Sequence, residues 1–386
     1  MSAPLATEPD TLGEFRQLFP ALSELVHLAS CSQGALSMQV TAALFEMQHT
    51  MRQHGAPWDL WTREVERARH LFARFINAAP CEIAVVSCAS EGAYHVASSR
   101  SWERRPKIVT TDMEFPSIAQ VWLAQQPRGA EIAHVPHREG IVAAEDYVDA
   151  IDEQTGLVSI PLVSYRNGAR MPVDEAVSAA RRAGAKVFVD GYQACGVLPV
   201  DVKAIDCDYL VTGSLKYLLG LPGIAFLYVR DTVAHECMPQ LTGWFGQADP
   251  FRFDPRDLDF ALDARRFQTG TPSIPSAYAA AAGLTVLSST SSNAVDEKVR
   301  SLVDTTQARL VSDGERLWSP ADPSLRGPMV ALVDENPDDL AAFLAQRRIS
   351  TSPRGAVLRL SFHGYNCESD VDAVCEAIRE YRRLRS

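Results

Sequence analysis

The sequence predicts an α/β protein with a large domain, in which helices cover both faces of a seven-stranded sheet, and a smaller α+β domain at the C-terminal end. Three observations predict it. From residue 60 onward, helical stretches alternate with short β-branched runs, the pattern of a sheet packed between helices. Several of those runs are apolar nearly throughout, which marks strands buried on both faces. The 386 residues exceed what one small core needs and suit one large and one smaller unit.

The expected strands of the large domain are 82–87, 107–111, 131–135, 157–164, 186–190, 208–212 and 224–229. Helical patterns at 62–77, 92–102 and 173–183 fall between them, the last opening at Pro172, where a first-turn proline gives up no bond. After Pro275 an Ala-rich helix over 276–287 leads into Ser/Thr-rich sequence at 288–293, a plausible hinge. Beyond it, helices alternate with short strands at 329–333 and 357–361. The expected division is residues 1–30 as an N-terminal segment packing on the small domain, 31–287 as the large domain and 288–386 as the small one.

Composition narrows the function. Apolar residues make up 46% and charged residues 22% of the chain, an ordinary globular balance. The formal net charge of -11 disfavours nucleic acid and anionic membranes as partners. A small-molecule substrate is expected. The eight cysteines show no CxxC pair and no metal-ligand spacing, so they read as reduced thiols and no metal is expected. The opening residues lack the apolar run of a signal peptide, and no stretch is long enough to span a bilayer. A cytoplasmic location is expected.

Chemistry concentrates in residues 186–229. A buried strand ends at Asp190, a second ends near Thr212, and Lys216 follows in SLKYLLGLPG. Both ionisable groups then lie at carboxyl ends of strands, where open α/β sheets bind ligands. A lysine there can lose its proton and form a Schiff base. Taken singly, each has a simpler reading, an exposed lysine and a turn aspartate. Upstream, SCASEGAYHV starts a helix at Ser90, Glu91 and Gly92, whose free N–H groups suit a phosphate, although Ser90 could serve as a plain cap. Phe115 follows the strand ending near Asp112.

Asp190, Gln193 three residues on, and Lys216 in SLKYLLGLPG together resemble the cofactor-lysine region of the class V aminotransferases, which include cysteine desulfurases, kynureninases and isopenicillin N epimerase-like proteins. The resemblance implies a fold-type I enzyme with a mostly parallel sheet, carrying pyridoxal 5′-phosphate. By it, Lys216 forms the aldimine and shuttles protons, Asp190 pairs with the pyridine nitrogen, Gln193 bonds the phenolic oxygen and Ser214 reaches the phosphate. Ser90, Glu91 and Gly92 match the phosphate cradle, and Phe115 matches the ring that stacks on the cofactor. In RRFQTGTPSIP, Thr271 matches a threonine that reaches the partner's phosphate across a homodimer. In VLRLSFHGYN, Arg359 matches the arginine that takes the substrate α-carboxylate, against the simpler reading of a surface arginine on an edge strand. Arg354, Arg166 and Cys31 are further substrate-binding candidates, and Trp58, Trp61, Trp244 and Phe245 are candidates for an aromatic pocket.

Two departures from the family pattern bear on the reaction. The residue before the lysine is Leu215, not the histidine of desulfurases or the tyrosine of kynureninase-like members. Residues 347–359 contain no cysteine, which disfavours persulfide-forming desulfuration. The expected function is a lyase that eliminates a Cβ substituent from an α-amino acid such as a cysteine S-conjugate. An aminotransferase, an epimerase, or a non-catalytic binding protein on the same fold are the alternatives.

Overall fold

The computed structural model describes residues 12–385; residues 1–11 of the expected N-terminal segment lie outside the described residues. Seven strands form the main sheet: β1 (Ile83–Val86), β2 (Lys107–Thr111), β3 (Glu131–Val135), β4 (Thr155–Pro161), β5 (Lys186–Asp190), β6 (Tyr209–Gly213) and β7 (Ala225–Val229). Their spatial order is β1-β7-β6-β5-β4-β2-β3. Only β7 runs antiparallel to its neighbours β1 and β6; the other pairs are parallel. Every residue of β1, β4, β6 and β7 is buried, the consequence of helices on both faces.

The two edges are treated differently. Strand β3 is half-wet, with Glu131 and His134 exposed, so charge and polarity discourage further pairing there. Strand β1 is covered instead, the Val85 amide donating to Oε1 of Gln268 at 3.2 Å. Because β2, β4, β5 and β6 are parallel, the turns after Thr111, Pro161, Asp190 and Gly213 open on one side of the sheet. That side is where such sheets take ligands.

Helix boundaries fall earlier than the sequence pattern suggests. The segment expected over 62–77 is helical over Trp58–Phe75, and that expected over 92–102 over Ala89–Ser98. Pro275 lies inside the first turn of Ile274–Leu287, where its missing N–H costs nothing. That alanine-rich helix is buried almost throughout and packs on Met38–His54 and Trp58–Phe75. Residues 288–291 are a short link, and the Ser291 side chain accepts from the Ala294 amide to start the helix Ser292–Ser312.

The C-terminal part holds a three-stranded antiparallel sheet of β8 (Met329–Val333), β9 (Ser352–Arg354) and β10 (Val357–Ser361), with β10 in the middle. The described N-terminal residues lie against it. Arg16 makes a two-pronged bond to Asp370 at 2.9 and 3.1 Å and donates to the Tyr365 carbonyl at 2.8 Å. Val26–His27 pairs in parallel with Ile349–Ser350. Among the described residues no helix is long and apolar enough to cross a membrane.

Candidate active site

Lys216 sits three residues beyond the end of β6, in a loop held from several sides. The Gly34 amide donates to the Leu215 carbonyl at 3.0 Å, and a Cβ at Gly34 would lie 2.3 Å from the Lys216 carbonyl oxygen. A Cβ at Gly196 would meet the Tyr217 oxygen at 2.1 Å, and one at Gly283 the Leu218 oxygen at 2.5 Å. Three distant segments thus press bare backbone onto the lysine loop. His363 adds a fourth tie, its Nε2 donating to the Tyr217 carbonyl at 3.0 Å while Nδ1 accepts from the Gly364 amide. Burial pulls His363 down to about 4, so it stays neutral and keeps that tautomer.

Burial also lowers the Lys216 pKa from its ordinary 10.5 to about 8; Asp190 and Cys31 oppose the shift, and Arg359 and Arg354 add to it. Its Nζ lies 4.3 Å from the ring centre of Tyr192 and 5.3 Å from that of Phe115. Phe115 in turn packs edge-on against Tyr165 at 5.0 Å. Met113, Phe115, Tyr165, Asp190, Gln193 and Lys216 border one cleft, so the sequence-predicted Lys216, Asp190, Gln193 and Phe115 do come together. The cleft is narrow, because Tyr192 leans over the amine.

Asp190 is buried and accepts the Tyr192 amide on Oδ1 at 2.8 Å. Burial raises its pKa, while that bond and the Lys216 charge pull the other way. Below it lies a residue the sequence reading passed over. Glu114 accepts from the Phe115 amide at 2.9 Å and from Ser159 Oγ at 2.9 Å, and Ser159 accepts from Trp122 Nε1 at 3.0 Å. Burial first, and the Asp190 charge second, push Glu114 up to about 8. Two buried carboxyls cannot both ionise cheaply, and Glu114 is the one that keeps its proton at neutral pH. Its signal in the sequence was an acid between Met113 and Phe115.

The phosphate-cradle residues divide. The helix Ala89–Ser98 leaves the first-turn amides of Ala89, Ser90 and Glu91 without intrahelical partners, and Cys88 supplies no side-chain cap. Gly92 does not belong to that set, since its amide donates to the Cys88 carbonyl at 3.2 Å. Its lack of a side chain serves packing instead, a Cβ there coming within 2.9 Å of Val211. The Glu91 carboxylate is a brace, accepting from the Ser87 amide at 2.7 Å and from Thr269 Oγ1 at 3.1 Å. Burial opposes its ionisation, but hydrogen bonds from His95 and Ser87 outweigh that and hold it at about 2. Ser214 also differs from expectation: its hydroxyl proton goes to the Leu221 carbonyl at 2.6 Å, closing the lysine loop rather than facing an anion. Thr271 is exposed in the turn before Ile274–Leu287.

Arg359 is 1% exposed and lies on the central strand β10, not on an edge. Nε donates to the Ser352 carbonyl at 3.2 Å, Nη2 to Ser352 Oγ at 2.6 Å and Nη1 to the Tyr165 carbonyl at 2.9 Å. A guanidinium has five N–H donors; with three used, one remains on each terminal nitrogen, the fork that grips a carboxylate. The rest of this motif fastens the N-terminal turn. Ser361 Oγ donates to the Leu28 carbonyl and accepts the Cys31 amide, Tyr365 bonds Ser30 Oγ at 2.6 Å, and Asn366 donates to the His27 carbonyl. Cys31 is buried and its carbonyl accepts from Gln193 Nε2 at 3.1 Å. Arg354 and Arg166 border a second cavity next to the cleft.

Trp58, Trp61, Trp244 and Phe245 lie elsewhere. Trp244 packs with Trp58, Phe245, Phe251 and Phe253 and borders a separate cavity that shares no residue with the Lys216 cleft.

The residues present fit pyridoxal phosphate. Gln193 Oε1 is buried without a partner, and one Nε2 proton is also spare, so the side chain has capacity for a polar group in the cleft. Asp190 supplies an acid for a ring nitrogen, Lys216 an amine able to shed its proton, and the first turn of Ala89–Ser98 amides for an anion.

Comparison with known proteins agrees. A relative from Bacillus subtilis (strain 168), described as an uncharacterized aminotransferase, is 36% identical over 358 residues, covering 93% of this chain and 95% of the relative. A cysteine desulfurase of Salmonella typhimurium is 33% identical over 217 residues, 55% of this chain and 53% of its own. The solved cysteine desulfurase of Thermococcus onnurineus NA1 shares the fold, with a TM-score of 0.87 at 24% identity over 95% of this chain and 97% of that one. The family model "Aminotransferase class-V" matches residues 44–374. The chain therefore belongs to the class V aminotransferase family and is a pyridoxal 5′-phosphate enzyme.

Proposed function

We propose that the enzyme is a lyase that removes a substituent from Cβ of an α-amino acid such as a cysteine S-conjugate, with Lys216 carrying the cofactor and moving the Cα proton. The observation that carries the reading is a cleft lysine lowered to about 8 together with the half-free fork of buried Arg359, which holds the carbonyl of Tyr165 in the cleft wall. When bound, pyridoxal phosphate withdraws electrons from the substrate Cα. Arg359 holds the α-carboxylate and so orients the bonds at Cα. Lys216 Nζ accepts the Cα proton, for which a pKa near the working pH is suited. The electron pair left at Cα forms a double bond to Cβ as the Cβ–S bond breaks and the thiolate departs; hydrolysis of the remainder gives pyruvate and ammonia. With the cofactor bound, Asp190 would hold its ring nitrogen, Gln193 its phenolic oxygen, and Phe115 would shield the ring from water.

Similarity to cysteine desulfurases supports carbon–sulfur chemistry. The hairpin of β9 and β10 closes through Gly355 and Ala356 and holds no cysteine, which argues against a persulfide carried there. The test is incubation of the pure enzyme with S-substituted cysteines, measuring thiol and pyruvate. Formation of both in equal amounts is expected, and neither across a broad panel overturns the reading.

A second reading, aminotransferase, is favoured by the description of the Bacillus relative. Stoichiometric transfer of the amino group to a keto acid identifies it. An epimerase would invert Cα with loss of its deuterium, and a binding protein would turn over nothing.

We also propose a homodimer. Thr271 is exposed, and Phe253 and Leu262 leave large apolar side chains in water, which points to contact with another surface. Light scattering giving twice the chain mass is expected, and the monomer mass contradicts it. The eight cysteines are unpaired, which supports a reducing, cytoplasmic setting.

A further inference from the structure

Beside the Lys216 cleft is a cavity of about 490 Å³ whose lining includes Tyr165, Arg166, Trp318, Val333, Arg354 and Val357. Tyr165 borders both spaces, and its carbonyl is the one that Arg359 grips at 2.9 Å. The two spaces therefore meet at Tyr165, the residue whose carbonyl Arg359 holds. The cavity carries positive charge with no acid to answer it. Among the described residues Arg166 and Arg354 enter no ion pair, whereas Arg347, Arg379 and Arg382 on the small lobe are each matched to a carboxylate.

The two groups are differently held. The Arg166 guanidinium carbon lies over the Trp318 ring, 4.8 Å from its centre, with only long contacts of 3.5 Å to the Asp112 carbonyl and 3.7 Å to the Met113 sulfur. The ring attracts the charge while leaving most of the Arg166 N–H donors unspent. Arg354 ends β9 beside the tight turn at Gly355 and is exposed. Its charge reaches Lys216, adding to the fall in that amine's pKa, so the arginine is near the reacting end. Asp334, next in sequence to the lining Val333, is already paired with Arg382 at 2.6 Å, and Asp112, whose carbonyl Arg166 approaches, accepts the His137 amide at 3.4 Å. Two guanidinium groups facing one cavity repel each other, and an anion between them removes that cost.

We infer that Arg166 and Arg354 bind a second carboxylate, at the far end of the substrate side chain, so the substrate class is α-amino acids with an anionic side-chain terminus. The inference rests on the reading that Arg359 takes the α-carboxylate. Arg359 then fixes one end, Lys216 works between, and the apolar Val333 and Val357 flank the connecting carbons. A neutral side chain would leave both guanidinium groups without a counter-charge.

The test uses holoenzyme and non-reacting probes, succinate, glutarate and adipate, each against its monomethyl ester, with affinity read by calorimetry. The diacid of best length binds at least about tenfold tighter than its ester, the effect of one charge-assisted fork. Arg166→Gln and Arg354→Gln each reduce that ratio towards one and leave the ester's affinity unchanged, while Arg359→Lys weakens both ligands alike. Diacid and ester binding equally well to wild type, or a ratio untouched by both glutamine variants, overturns the second-carboxylate site even though Arg359 still matters. If no acid binds and Arg359→Lys changes nothing, the amino-acid reading itself fails, and the inference with it.

Discussion

Lys216 holds its side-chain nitrogen 4.3 Å from the ring centre of Tyr192, so the amine proposed to bond the cofactor is covered by the residue just before Gln193 in sequence. Little water reaches it, and the amine is lowered to about 8, burial outweighing the opposing pull of Asp190.

A pH dependence follows. With a pKa of about 8 the amine is neutral in about a tenth of molecules at pH 7, against roughly one in 3,000 for an ordinary lysine. The rate at which apoenzyme takes up pyridoxal phosphate should therefore rise through about pH 8 and level off above it, followed by absorbance in stopped flow. Asp190→Asn removes a charge that raises Lys216, so its profile should move to lower pH. An unmoved profile in that variant contradicts the coupling.

Glu114 gives a prediction of opposite sign. Its folded pKa, about 8, lies above the unfolded value near 4.5, so ionisation favours the unfolded chain and stability is lost as pH rises between those values. Glu114→Gln mimics the protonated acid and keeps its hydrogen-bond shape. It should match wild type at pH 5 and exceed it at pH 9 by about 1–3 kcal/mol, measured by denaturant unfolding. Equal loss for both proteins across that range would show that Glu114 is already ionised.

The lysine loop depends on close backbone approach. Gly34→Ala places a methyl group 2.3 Å from the Lys216 carbonyl oxygen, so either the N-terminal turn or the loop must shift. A cost of about 1–3 kcal/mol is expected, with cofactor affinity falling together with melting temperature. Gly55→Ala offers the contrast, since nothing lies within 4 Å of a Cβ there and its cost comes only from a positive φ of 70°. Weakened cofactor binding in that variant as well would remove the loop from the explanation.

Arg359→Lys keeps the charge and loses the fork. Three protein acceptors, two on Ser352 and one on Tyr165, then lose their donors. KM should rise at least about tenfold, equivalent to 1.4 kcal/mol, with a smaller change in kcat. A fall in kcat alone would place Arg359 outside substrate binding.

The seven strands were legible because each is a short apolar run closed by a turn, and a buried parallel sheet leaves that imprint. That Lys216, Asp190, Gln193 and Phe115 share one cleft was legible because each lies at or just beyond the carboxyl end of a strand. Other features depend on partners remote in sequence. Nothing around Ser214 announces that its proton goes to Leu221, and Gly92 looks like an anion-binding glycine until its distance to Val211 is known. Glu114 reads as one more acid until burial beside Asp190 gives it a proton. The helix starts at Trp58 and Ala89 were placed late because apolar periodicity weakens in a first turn, and neither Pro57 nor Cys88 supplies the side-chain cap that would mark a start.

Lys216 as carrier of the cofactor can be checked directly, because the chain has only five lysines, Lys107, Lys186, Lys203, Lys216 and Lys298. Borohydride reduction of the loaded enzyme, followed by peptide mass spectrometry, locks the cofactor onto the lysine that holds it. The added mass is expected on the peptide containing Lys216 and on no other; the label on any of the remaining four lysines, or a label retained in Lys216→Ala, rules Lys216 out as the carrier.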